Sequence, residues 1–109
     1  MSSMTLAWSF QSPLTWKEMQ NRLDAASDQP WTEGDSEYHG DYLAKRLAEH
    51  TVARIYTVKS GFLVNLRHRT VGDDEPVARE RIGSAKSILL EKVLPLLLAR
   101  DVAETEPLD

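Results

Sequence analysis

The stretch TVARIYTVKSGFLVNLRH, Thr51 to His68, decides how this chain folds. Two runs rich in β-branched and aromatic residues, TVARIYTV and FLVNLRH, are separated by KSG. That pattern predicts a β-hairpin over about 51–69, with Gly61 supplying the positive φ that a tight loop needs. Phe62, Val64 and Leu66 then face a core, while Asn65, Arg67 and Arg69 face the other way. His68 falls on the core face and reads as a histidine at the core edge. Two-residue and three-residue loops give opposite pairings, so the hairpin register stays open.

Upstream, Met4, Leu6, Trp8 and Phe10 alternate with smaller or polar residues, which predicts a further strand over about 5–11. Ser12-Pro13 interrupts it. Thr15 and Glu18 have capping-box spacing, with Leu14 and Met19 flanking them as a hydrophobic staple. Trp16, Met19, Leu23 and Ala26 follow at helical steps, so a helix is expected over about 15–27. SDQPWTEGDSEYHG reads as a loop from its Pro, Gly, Ser and Asp content. Within it Trp31 is either a lid folded onto the core or an exposed anchor for a partner. DYLAKRLAE, from Asp41, has high helix propensity and reads as a short helix, although a strand also fits its alternation.

Downstream of the hairpin, Ala78, Ile82, Ala85 and Leu89 step by four, three and four. A long C-terminal helix follows from that spacing, with Asp74 as N-cap, Pro76 in the first turn, and Pro95 as a kink or stop. The alternative is a strand over 77–82 with the helix starting at Ser84. Residues 101–109 read as an acidic frayed tail. The expected fold is therefore a single α+β domain over 1–109, a small antiparallel sheet packed against an N-terminal and a long C-terminal helix.

Composition narrows the function classes. The chain has 109 residues, 41% hydrophobic and 28% charged, which suits one globular core. It has no cysteine, which excludes disulfides, thiolate zinc sites and a cysteine nucleophile. That is consistent with a cytoplasmic location, and the first residues do not read as a signal peptide. The most apolar run, 88–99, is broken by Glu91, Lys92 and Pro95 and is too short for a membrane span. The net charge of −4 hides a basic middle between two acidic flanks: 51–72 carries Arg54, Lys59, Arg67 and Arg69 and no acid. Such asymmetry concerns partners more than fold.

The most chemically loaded run is GDSEYHGDYLAKR, with Asp35, Glu37, His39 and Asp41 at alternate positions and Tyr38 and Tyr42 among them. Same-side residues on a strand lie ~6.6 Å apart, too far for one metal to use all four. No EF-hand, HExxH or phosphate-loop pattern is present. His39 with Asp41 or Glu37 would meet the need of a general base, but no nucleophile or oxyanion hole accompanies it. His50 reads as a helix C-terminal residue. No catalytic residue, metal or cofactor is assigned, and an enzyme is not expected. The basic hairpin, with Tyr56 nearby, could contact phosphates, but a pI near 5.3 argues against nucleic acid.

Protein binding is the class that remains. Acidic loops with interleaved aromatics suit a basic partner, charge steering the encounter and aromatics anchoring it. In length, acidity, single α+β domain and lack of a catalytic signature the chain resembles the immunity proteins of bacterial toxin systems. WTEGDSEYHGDY and the capped first helix carry that resemblance. It implies a cytoplasmic, non-enzymatic inhibitor that plugs a cognate toxin. Trp31, Asp35, Glu37, Tyr38, His39, Asp41 and Tyr42 form the expected contact surface. The chain is also similar in character to secretion chaperones, which are small, acidic and usually dimeric, so a homodimer stays open as the alternative.

Overall fold

The structure, a computed structural model, describes residues 3–26, 30–36, 40–59, 61–69 and 75–107. The described residues form six strands: β1 (Ser3–Gln11), β2 (Thr32–Ser36), β3 (Gly40–Ala48), β4 (Thr51–Val58), β5 (Gly61–Arg69) and β6 (Arg100–Thr105). They make one antiparallel sheet in the order β2-β3-β4-β5-β1-β6. Helix α1 (Trp16–Ala25) links β1 to the far edge strand β2. Helix α2 (Glu75–Ile88) continues through a π-helical turn, Leu89–Val93, into α3 (Leu94–Leu96).

The predicted hairpin is the centre of this sheet. Val58 pairs with Gly61 and Ile55 with Val64, so the loop is the two-residue kind and the register question is settled. Gly61 has φ 146°, and a Cβ there would lie 2.6 Å from the Gln11 side chain and 2.8 Å from the Phe10 carbonyl. Only glycine fits that combination of backbone and space.

Alternation along the strands sends one face under the helices. Trp8 and Phe10 of β1, Leu43 of β3, Ile55 of β4, and Val64 and Leu66 of β5 are buried there. Met19 and Leu23 of α1, and Ile82, Leu89 and Leu97 of the C-terminal helical run, close over them to form one cluster. The start of α1 follows the predicted box: the Thr15 hydroxyl accepts from the Glu18 N–H at 3.2 Å, and the Glu18 carboxylate accepts from the Thr15 N–H at 2.9 Å. These bonds hold the Glu18 carboxyl below its ordinary value, the Thr15 backbone N–H first and the Thr15 side chain second. His68 is buried beside Thr51, as its place on the core face predicted. The Thr51 hydroxyl donates its one proton to the Glu49 carbonyl, so His68 Nδ1–H donates to Thr51 Oγ1 at 2.8 Å.

Four expectations change. Residues 41–49 were read as a short helix, but pairing on both sides makes 40–48 the strand β3, because Leu43 gains a core position opposite Ile55. His50 accordingly sits in the β3–β4 turn with φ 58°, not at a helix end. Residues 32–36, read as part of a loop, pair with β3 as the edge strand β2, whereas 77–82 take the expected helix and not the alternative strand, since Ala78, Ile82 and Ala85 form the buried stripe of α2. The tail is not frayed from residue 101: Arg100–Thr105 hydrogen-bond along β1 as an edge strand. Pro76 lies in the first turn of α2, as predicted, whereas Asp74 is outside the described residues. The helical run passes through Pro95 and ends one residue later, at Leu96. The wider π turn precedes the proline, which suits a residue with no N–H to donate to the carbonyl four back. Leu97 caps the run, and Leu98 follows it with φ 52°.

Candidate binding surfaces

The acidic run folds into the β2–β3 edge of the sheet. Asp35 pairs directly with Asp41, and both side chains are exposed. Glu33, opposite Leu43, projects to the same side as this pair, and with Trp16 of α1 these residues border a shallow depression of about 420 Å³. Tyr42 follows Asp41 and therefore turns to the opposite face. There its ring lies over Gly34, where a Cβ would come within 2.3 Å of it. The Arg54 guanidinium stands 4.7 Å from the Tyr42 ring centre on that face, and Tyr56 packs against Tyr42 with centroids 5.5 Å apart.

The seven residues expected to form one contact surface are thus divided. Asp35 and Asp41 stay together on one face, and Tyr42 belongs to the other. Trp31 is 4% exposed within the core cluster, and its N–H donates to Asp24 Oδ1 at 3.1 Å, so it is the lid rather than an exposed anchor. Glu37, Tyr38 and His39 lie outside the described residues. Among the described residues no group of three His, Asp or Glu side chains is placed to hold a metal ion.

The face of the sheet away from the helices carries a second surface. One end is plugged by Ala7, Tyr56 and Leu63, with Tyr42 and Val58 against them. Beyond the plug the face is a groove of about 710 Å³ whose floor and walls include Val52, Arg54, Asn65, Arg67 and Arg69. The register explains the grouping. Arg54, Asn65 and Ala7 lie in one row across three strands, and Val52, Arg67 and Thr5 in the next. Arg54 and Arg67 are therefore diagonal neighbours, and Arg69 is one same-face step beyond Arg67. His50 and Ser36 border the groove, as do Glu106 and Pro107 just after β6. Three arginines face one carboxylate in this lining. Among the described residues neither Arg67 nor Arg69 has an ion-pair partner.

Sequence reasoning had placed Arg67 and Arg69 on the face away from the core, and the register adds Arg54 to them through its pairing with Asn65. His68, between them in β5, turns inward as expected. Asn65 was known to face away from the core. Thr5, Ser36 and Pro107 were missed as neighbours, because they arrive from strands distant in sequence. No protein-family model matches the chain, and no curated protein matches it by sequence.

Proposed function

We propose that this chain is a non-enzymatic cytoplasmic protein that captures and occludes another protein through its acidic β2–β3 edge, as a bacterial immunity protein occludes a toxin with a basic cleft. The observation that carries the reading is the cross-strand pair Asp35–Asp41, two exposed carboxylates directly opposite each other. Like charges in that position destabilise a sheet, and a cationic partner would relieve the repulsion. Glu33 adds a third carboxylate on the same side, so a basic surface would be steered to this edge. β2 is also an edge strand of the sheet, a position that suits a partner that adds a strand.

The test replaces Asp35→Lys and Asp41→Lys together and compares capture of the partner from lysate of the source cells. The variant should keep its thermal unfolding cooperative and lose capture, and capture by the parent should weaken with added salt. Retained capture would remove this edge from the interface.

A second reading, the dimeric chaperone, is favoured by one feature at the opposite edge. Leu98 and Val102, 44% and 43% exposed, stand with Pro13, Leu90 and Leu94 around an apolar depression beside β6. A second copy or an apolar segment of a client would cover it. Light scattering on the purified chain separates the readings, since the chaperone requires a dimer.

A further inference from the structure

From the open sheet face we infer a binding site for a nucleoside monophosphate. The site is independent of the acidic edge, because it lies on the other face of the sheet. Its volume of about 710 Å³ lies within the roughly 300–1,000 Å³ typical of small-ligand sites. A long polyanion would meet the acidic flanks of a chain with net charge −4, whereas a mononucleotide would contact the groove alone.

The phosphate and the base of such a ligand each have a counterpart. Arg67 and Arg69 are exposed, without ion-pair partners among the described residues, and project from the same face of β5. Two like charges one same-face step apart, ~6.6–6.8 Å along the strand, repel each other until an anion sits between them. The guanidinium fork matches the oxygens of a phosphate in bidentate fashion. Arg54 is held differently. Stacked on Tyr42 at 4.7 Å, it presents a flat cation beside the groove, and a nucleobase can stack on its free side to extend the tyrosine–arginine pile. Asn65, paired with Arg54 across the β4–β5 ladder and 8% exposed, places an amide next to that position. From Asn65 to Arg67 is one same-face step along β5, which suits a base at one end and a phosphate at the other.

The experiment is calorimetric titration of the full chain with adenosine 5′-monophosphate at low salt. Ribose 5-phosphate, adenosine, inorganic sulfate, a short oligothymidylate and a polyglutamate peptide are the comparison ligands. Saturable one-to-one binding of the nucleotide is expected, tighter than ribose 5-phosphate or adenosine. Arg67→Gln with Arg69→Gln should weaken it about tenfold or more, as loss of charge-assisted bonds to phosphate predicts. Arg54→Lys keeps the charge but removes the plane, so the preference for the nucleotide over ribose 5-phosphate should collapse. All three positions are exposed, and unchanged thermal unfolding will show that the variants fold. Equal binding of nucleotide, ribose phosphate and sulfate would overturn the assignment, as would no binding at all. Binding of the oligothymidylate or the peptide with the nucleotide silent would also overturn it, in favour of a strand of nucleic acid or an acidic protein segment.

Discussion

The two faces of this sheet are built by alternate residues of the same strands, yet they follow different rules. Leu66 and Arg67 are neighbours in β5: one is fully buried under the helices and the other points into the open groove. On the covered face the residues are apolar and mutually packed, and His68 and Thr51 are tolerated because they satisfy each other. On the open face arginines stand close together with little to neutralise them. A face shaped only for stability would not gather Arg54, Arg67 and Arg69, and this contrast with the packed first face is the ground for proposing a ligand on the second.

The largest expected effect tests that division at a single peptide bond. Leu66→Ala should cost about 3 kcal/mol of unfolding free energy, because the packed cluster cannot close over the lost methyl groups. Arg67→Ala should change stability by less than about 0.5 kcal/mol, as exposed substitutions usually do. Urea unfolding of both variants measures the contrast. A comparable loss from Arg67→Ala would mean that the open face also holds the fold.

A middle-sized effect should come from Gly34→Ala, where the two proposed surfaces meet. The added Cβ would lie 2.3 Å from the Tyr42 ring, so the ring must shift and the Arg54 stack above it must shift too. Overpacking of this kind typically costs about 1–3 kcal/mol. The unfolding free energy should fall by the lower part of that range, lowering the midpoint, since β2 is an edge strand that can give way. An unchanged midpoint would show that Tyr42 is not fixed over Gly34.

How far all this was legible in the sequence depends on which residues had local partners. The hairpin was readable because Thr51–His68 carries both strands, the glycine and the alternation in one stretch. Residues 41–49 misled because Leu43 and Leu47 are four apart, a spacing that puts them on one face of a helix or of a strand alike. Lys, Arg, Ala and Leu tipped the reading to helix, and pairing with β4 reversed it. β6 gave no signal at all: every residue in it is exposed, so no apolar pattern marks it, and only its backbone bonds to β1 order it. The same reason limits the view of the groove. Arg54 and Asn65 meet within the hairpin and could be inferred, whereas Thr5 reaches Arg67 through a register set by residues some sixty positions away. The acidic run looked continuous in sequence, but strand alternation divides Asp41 from Tyr42.

The smallest effect concerns the layer that covers the first face, and its sign is set by the capping box of α1. Thr15→Ala should cost about 1 kcal/mol, the usual worth of a side-chain N-cap. Glu18 adds a pH dependence. Its carboxyl is held below the ordinary value by the Thr15 N–H and hydroxyl, with a smaller contribution from Arg22. The folded state therefore holds the Glu18 proton less tightly than the unfolded chain does. Its stabilising effect is complete above the ordinary carboxylate value, 4.5, and fades as pH falls through the lower folded value. Glu18→Gln should accordingly be less stable than the parent at neutral pH, and the gap should narrow below about pH 4. Urea unfolding at both pH values measures it. A gap that stays constant with pH would mean that the carboxylate contributes no more than a neutral amide, and that the box closes this end of α1 through the Thr15 hydroxyl alone.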